Sequence, residues 1–275
     1  MLGTKTVFCS HFRSYLTLSQ PTIETWNLAK VYRQGNVLAV DALTTQIFKG
    51  EIFGLLGENG AGKTTAVRLL TTMIKPTRGT AAIAGFDIVD APNKVREIVG
   101  VLPQDCGLYH ELTVWENLSF FARLQGLDRD AVDERVSHLL KLIEMEARAE
   151  DRAETLSGGL QRRVQLARAL VASPKVVFFD EPTSGLDVLV ARKVRNLIRR
   201  LAKEEAVTVV LCTHNMYDAQ RLCDRVLIMS KGREVEKGTP KEILIKYKEE
   251  EDGIEDFEDV VIRLIGGEVE EELYD

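Results

Sequence analysis

Apolar residues fall along this chain in two alternating rhythms. Residues 52–56 (IFGLL), 176–180 (VVFFD), 207–212 (VTVVLC) and 225–230 (RVLIMS) are short runs with few polar side chains, the pattern of strands buried on both faces. Between them the spacing becomes helical. Val132, Val136, Leu139, Leu140 and Ile143 lie at i, i+4, i+7, i+8 and i+11, and Val190, Val194, Leu197, Ile198 and Leu201 form a second stripe. Each set makes one face of an amphipathic helix. Strands alternating with helices predict an α/β chain with a mostly parallel sheet covered on both sides. Nearer the N-terminus the pattern differs: 37–57 reads as strands broken at Lys49-Gly50, and 80–88 (TAAIAGFDI) as a short hairpin-like pair. At 239–242 (TPKE) a capping box with proline in the first helical position opens a further helix.

Two glycine-rich segments interrupt these rhythms. The first, 57–64 (GENGAGKT), matches G-x-x-x-x-G-K-[ST] between a strand and a helix expected to stop near Pro76. Gly57, Gly60 and Gly62 let the backbone wrap closely, so that N–H groups from Glu58, Asn59, Ala61 and their neighbours through Thr65 can surround phosphates. The following helix adds its positive end. Lys63 supplies a cation for the outer phosphates and the Thr64 hydroxyl a ligand for Mg²⁺. The run 176–180 ends in adjacent carboxylates at the sheet edge where this loop also lies. Asp180 is expected to hold Mg²⁺ through water, and Glu181 to act as general base on an attacking water.

The second segment is Ser157-Gly158-Gly159, at the head of a helix. A glycine pair costs stability in a helix interior, but a bare helix start is an anion site. One phosphate loop leaves part of a γ-phosphate uncovered, and this segment is the candidate to complete the enclosure. Behind it Leu160, Val164, Ala167, Leu170 and Val171 give a buried stripe, with Arg162, Arg163 and Arg168 expected on a solvated or interdomain face.

Composition narrows the classes. The 275 residues carry a net charge of −6, but 241–275 alone holds 14 acidic and 4 basic side chains, a tail of −10 on a body of +4. No basic stripe supports nucleic-acid binding, and the acidic tail is expected to be a solvated surface. No apolar run approaches the ~18–20 residues that cross a bilayer. The four cysteines, Cys9, Cys106, Cys212 and Cys223, have no C-x-x-C spacing. They read as reduced thiols in a cytosolic protein, not as a disulfide framework or zinc site.

Taken together and in order, the phosphate loop, Gln104 in 101–105 (VLPQD), 156–159 (LSGG), Asp180-Glu181, 184–187 (SGLD) and His214 in 212–216 (CTHNM) resemble the ATP-binding subunit of ABC transporters over roughly residues 24–240. That resemblance implies a P-loop NTPase fold: a central mostly parallel sheet, an antiparallel β subdomain near the N-terminus, and an inserted α-helical subdomain at about 108–155. It implies ATP and Mg²⁺ as cofactors, and two domains packed head to tail so that Ser157, Gly158 and Gly159 touch the partner chain's ATP. By the same resemblance Gln104 senses Mg²⁺ and the attacking water, Asp187 faces the partner's site, His214 contacts the γ-phosphate, and Tyr32 stacks on adenine. The helical subdomain receives a helix of a membrane subunit, on a groove to which Tyr109, Trp115, Phe120 and Phe121 contribute. Residues 1–23 are then expected to be a flexible extension and 241–275 an acidic appendage.

Three functions compete on this reading: the energy subunit of a transporter, a soluble ABC ATPase acting on ribosomes or nucleic acid, and a P-loop kinase. A kinase lacks LSGG and SGLD. Translation-type relatives usually carry two ATP domains in one chain, and the DNA-repair type inserts a long coiled coil. One motif set without such an insertion favours transport. The expected partners are transmembrane permease subunits and a second ATP-binding subunit, with the chain cytoplasmic and peripheral on the membrane. The tail, 256–271 (DFEDVVIRLIGGEVEE), is similar to the ending of exporter-type subunits, with Val261-Ile262 in place of a phenylalanine, and gives an expectation of export over import.

Overall fold

In the computed structural model, residues 20–104, 107–250 and 253–271 are described. The expectations for residues 1–19, including Cys9, and for Cys106 lie outside them. β1 (Ile23–Tyr32) pairs antiparallel with β2 (Val37–Leu43) and β3 (Gln46–Ile47). β4 (Ile52–Leu56) then starts a second sheet, followed by α1 (Lys63–Leu70). β5 (Arg78–Ile83) and β6 (Phe86–Asp87) return to the first sheet, in the order β2-β1-β5-β6 with β3 beside β1. After α2 (Pro92–Ile98), β7 (Val99–Leu102) forms the far edge of the second sheet. A helical block follows: α3 (Val114–Leu124), α4 (Arg129–Leu142) and α5 (Gly158–Ala169). The chain then alternates through β8 (Val176–Asp180), α6 (Val188–Lys203), β9 (Thr208–Thr213), α7 (Met216–Leu222), β10 (Arg225–Ser230) and β11 (Arg233–Gly238). It ends, among the described residues, in α8 (Pro240–Glu250) and α9 (Phe257–Glu271). The second sheet runs β11-β10-β4-β9-β8-β7, parallel except where β11 meets β10.

The unbroken apolar runs have a direct cause. Successive residues of a strand face opposite sides, and this sheet has a core on each side. In β8, Val177 and Phe179 join the core with the helices, while Val176 and Phe178 join the one shared with α1 and the antiparallel sheet. Phe178 and Phe179 are both fully buried, worth roughly 1.5–3 kcal/mol each in transfer free energy. A polar residue in either register would be stranded in one of the cores. The helical stripes form as expected but for one position: Val132, Val136, Leu139, Leu140 and Ile143 are all buried, as are Val194, Leu197, Ile198 and Leu201, while Val190 is half-buried.

Two expectations change. α1 ends at Leu70, well before Pro76: the Thr71 hydroxyl donates back to the Val67 carbonyl at 2.8 Å, and Thr72 turns the chain with φ 60°. The acidic tail is not merely a solvated surface. The Thr239–Glu242 capping box forms in both directions and opens α8, and Phe257, Val260 and Val261 of α9 are buried in the core on the helical side of the parallel sheet.

Candidate active site

Parallel pairing sets Leu56 beside Thr213 and Asp180 beside Cys212, so the segments after β4, β8 and β9 leave the sheet at one edge. Gly57 follows the first, Glu181 the second and His214 the third. The loop from Gly57 is shaped by close approach. Gly57 and Gly62 have φ of 145° and 102°, and a Cβ would strike the Met229 carbonyl oxygen at the first and the Ala39 carbonyl oxygen at the second. Gly62 also caps α1 with no side chain, which leaves the helix's first N–H groups to face the loop. Lys63 is buried, and its Nζ donates to the carbonyls of Gly57 at 2.6 Å and Glu58 at 2.9 Å. Burial lowers its pKa from the ordinary lysine value, opposed by Cys212, Glu181, Asp180 and Glu58.

Glu181 is 6 % exposed and fully engaged. Its Oε1 accepts from the His214 backbone N–H at 2.8 Å and from His214 Nδ1 at 2.6 Å; its Oε2 accepts from the Thr213 hydroxyl at 3.1 Å. With Nδ1 bound there, Nε2 is the ring nitrogen left for a ligand. Asp180 has its pKa raised, first by burial and then by the Glu181 charge, against Lys63, Arg162 and Arg68.

A cleft of about 380 Å³ gathers Glu58, Asn59, Gly60, Gly62, Lys63, Thr64, Thr65, Gln104, Asp180, Glu181 and His214. Val37, Leu38 and Ala39 of β2 and Lys231 complete its wall. The sequence marked β2 only as a strand and gave Lys231 no part in the site, so their place in the cleft was missed. A larger cavity of about 740 Å³ lies at the opposite, amino-terminal edge of the sheet, among Lys49, Lys175 and Glu205. It holds none of the motif residues.

The donor set fits a small hard cation. The Thr64 hydroxyl, the Gln104 amide oxygen and one Asp180 carboxylate share the cleft, the oxygen ligands that Mg²⁺ takes alongside phosphates and water. Among the described residues no group of three or more His, Cys, Asp or Glu could hold a metal, so a cation here depends on the phosphates for the rest of its shell.

Seven expected site residues lie outside the cleft lining: Gly57 and Ala61 within the loop itself, and Tyr32, Asp187, Ser157, Gly158 and Gly159. Tyr32 ends β1 opposite Val37, with the Lys30 ammonium 5.6 Å from its ring. Asp187 caps α6, accepting from the N–H groups of Leu189 and Val190 at 3.0 Å. Ser157 and Gly158 are exposed at the head of α5, where Ser157 makes no side-chain cap. Gly159 has a packing role as well, because a Cβ there would strike Val190 of α6.

The arginines depart most from expectation. Arg162 is buried, not solvated, and donates to the carbonyls of Asp180, Glu181 and Pro182. Arg163 reaches the Ile143 carbonyl and Arg168 the Gly107 carbonyl. The sequence also missed a buried network in which Asp218 accepts from the Thr183 hydroxyl and from Arg195, the latter at 2.7 Å. It ties the loop after Glu181 to α6 and α7. Of the aromatics, Tyr109, Phe120 and Phe121 form an interlocked set with centroids 5.2–5.9 Å apart. Tyr109 and Phe120 are exposed, while Trp115 packs on the core.

Comparison with known proteins places this geometry. The ABC transporter family model matches residues 40–184. The chain is 39% identical over 225 residues to the spermidine/putrescine import ATP-binding protein PotA of Acidothermus cellulolyticus, covering 81% of this chain and 58% of that protein. It is 38% identical over 218 residues to the methionine import ATP-binding protein MetN 1 of Bacillus thuringiensis subsp. konkukian, covering 77% of this chain and 64% of that one. The chain therefore spans about three fifths of the length of these relatives. Among solved structures, cbiO1 from Clostridium perfringens, part of the cbiONQ ABC transporter complex, superposes with a TM-score of 0.77 at 28% identity, over 93% of this chain and 99% of that one. The ATP-binding cassette MJ0796, a dimer in a post-hydrolysis state bound to ADP and Pi, superposes with a TM-score of 0.70 at 28% identity, over 79% and 98%.

Proposed function

Because the chain belongs to the ABC transporter ATP-binding family, we propose that it binds and hydrolyses ATP with Mg²⁺ and energises transport through separate membrane subunits. The observation that carries this reading is the single cleft shared by the glycine loop, Lys63, Thr64, Gln104, Asp180, Glu181 and His214. The glycine loop and the head of α1 bind the phosphates. Thr64, Gln104 and, through water, Asp180 would hold Mg²⁺, which would supply charge neutralisation on the phosphate oxygens. Glu181, oriented by Thr213 and His214, accepts a proton from the attacking water.

The site of one chain is incomplete, because Ser157, Gly158 and Gly159 do not line its cleft. Two chains packed head to tail let each Ser157 close the other's site, and the dimeric MJ0796 cassette is a precedent for such pairing. On this reading no helix here needs to cross a membrane: among the described residues none is long and apolar enough to do so. The chain then sits on the cytoplasmic face of the membrane through its permease partners. PotA and MetN are named for import, and cbiO1 belongs to a transporter complex, which favours the transport role over a ribosomal or nucleic-acid one. The direction expected from the tail, export, has no support among these names, and the proposal does not carry it.

The test separates the two halves of the site. Ser157→Arg puts bulk and charge at the proposed interface and is expected to abolish ATPase while leaving the monomer's ATP affinity within about twofold. Lys63→Ala is expected to weaken monomer binding itself, since it removes a charge-assisted contact of about 1.5–3 kcal/mol. Equal loss of monomer affinity in both variants refutes the shared site.

A further inference from the structure

We propose that Arg162 is a positioning residue for hydrolysis: from the head of α5 it holds the backbone that sets Glu181, and so links each site's general base to the segment that closes the other site. This inference rests on the composite-site reading above.

Its geometry is specific. Arg162 is buried, with 8 % of the residue exposed. Nε donates to the Pro182 carbonyl at 2.9 Å, and Nη2 to the Glu181 carbonyl at 2.7 Å and the Asp180 carbonyl at 3.2 Å. Nη1 donates to Gln165 Oε1 at 3.1 Å, which steadies the fork from its own helix. Three consecutive carbonyls are thus held by one planar group, an arrangement a lysine ammonium cannot reproduce.

The clamped segment is one that needs holding. Glu181 has φ 48°, in the left-handed region that L-residues occupy at a cost and that persists only where the surroundings enforce it. β8 ends at Asp180, so the ladder stops there. The Glu181 N–H still reaches the Cys212 carbonyl at 2.9 Å, but Pro182 has no N–H to offer. Thr213 and His214 fix the Glu181 carboxylate. Arg162 fixes the other end of the same residue, its main-chain carbonyl. A shift of a fraction of an ångström in that backbone displaces the carboxylate from an attacking water, and catalysis by positioned groups is sensitive to errors of this size.

The link to the second site follows from the helix. Arg162 lies five residues after Ser157, about 7.5 Å along the axis of α5. The head of α5 is also seated on α6 through the Gly159–Val190 contact. A displacement of Ser157–Gly159 when they engage the partner's nucleotide is therefore delivered to the 180–182 backbone through a rigid turn and a half of helix. The positive charge of Arg162 also lies close enough to favour the ionised Asp180.

The test uses the full chain. Arg162→Met keeps the stem of the side chain and removes the fork; Arg162→Lys restores a charge that can reach some of the carbonyls. Each is made with Glu181 intact for ATPase kinetics, and with Glu181→Gln for ATP-driven dimerisation by sizing chromatography. The expected result is a fall in kcat of about tenfold or more for Arg162→Met, with KM within about threefold, partial recovery in Arg162→Lys, and an unimpaired ATP dimer in the Glu181→Gln background. An unchanged kcat in Arg162→Met overturns the proposal. So does a loss of the ATP dimer in step with kcat in both variants, because Arg162 would then serve the interface or the fold and not Glu181. Failure of the underlying reading looks different: the chain with Arg162 intact would itself show no ATPase, or no ATP dimer with Glu181→Gln, and that result refutes both.

Discussion

Replacing Glu181 by Gln should remove hydrolysis and leave the fold intact, and the hydrogen bonds say why. Oε1 faces two donors, the His214 N–H and Nδ1, while Oε2 faces the Thr213 hydroxyl. A glutamine can keep its carbonyl oxygen on the His214 side. Its NH₂ then meets Thr213 Oγ, which can accept as well as donate and already accepts from Asn215 N–H at 3.0 Å. Only the Thr213 O–H loses its acceptor, and its Oγ gains the new N–H, so the stability change should stay at about 1 kcal/mol, the low end for one unsatisfied group. Glu181→Ala is different, because it strands both the partly buried His214 N–H and the buried Thr213 hydroxyl and should cost about 1–3 kcal/mol. For catalysis the two agree. Loss of a general base removes about 10²–10⁴-fold in rate, or roughly 2.7–5.5 kcal/mol of barrier. The assay is phosphate release at saturating Mg-ATP, with thermal unfolding followed on the same samples. Hydrolysis by Glu181→Gln within about threefold of the parent chain, or a Tm that falls as far as that of Glu181→Ala, refutes the reasoning.

Two further outcomes follow from contacts around the site. Gly159→Ala should destabilise the chain by about 1–3 kcal/mol through its clash with Val190, and Gly159→Ala with Val190→Ala should recover most of that in Tm; a double variant no better than the single would show that backbone freedom, not space, fixes the glycine. Asp180→Asn should raise the Tm of the nucleotide-free chain. The folded pKa of Asp180 is raised from 3.8, so its charged form is disfavoured by folding; the gain from removing the charge is full above the raised pKa, shrinks as pH falls through it, and is gone below about 3.8. A Tm gain that grows on acidification contradicts that sign.

What the sequence disclosed depended on whether a requirement leaves a mark at the position itself. The phosphate loop was legible because close approach leaves only glycine at Gly57 and Gly62, and lysine must follow. β4, β8 and β9 were legible because burial on both faces excludes polar residues. Arg162 was not, since its place off the apolar stripe of α5 is also where a solvated arginine belongs; only the 180–182 backbone, brought against it by the fold, makes that face interior. Asp187 was expected to face a partner, and within the chain its carboxylate is already engaged as a helix cap. The tail was misjudged for another reason. Counting its charge hid the i, i+3, i+4 spacing of Phe257, Val260 and Val261, a helical stripe that was there to be read.

The same contacts bear on why the proposed reading calls for a second chain. The head of α5 is pinned at three points: Gly159 against Val190, Arg162 on the carbonyls after β8, and Arg163 on the Ile143 carbonyl. Moving Ser157 into the cleft of its own chain would tear Arg162 from buried acceptors, each costing about 1–3 kcal/mol when left unpaired. It would also unseat the carbonyl of the very residue proposed to activate water. A chain that closed its site on itself would thus disable its base in the act of closing. Closure by a second copy moves whole subunits and leaves α5 seated on α6 and on the 180–182 backbone. The Ser157 that completes a site then arrives already attached to a Glu181 held in register, belonging to the other site. On the proposed composite-site reading, two sites built this way reach competence together, so that ATP binding acts on the proposed membrane partners as one event.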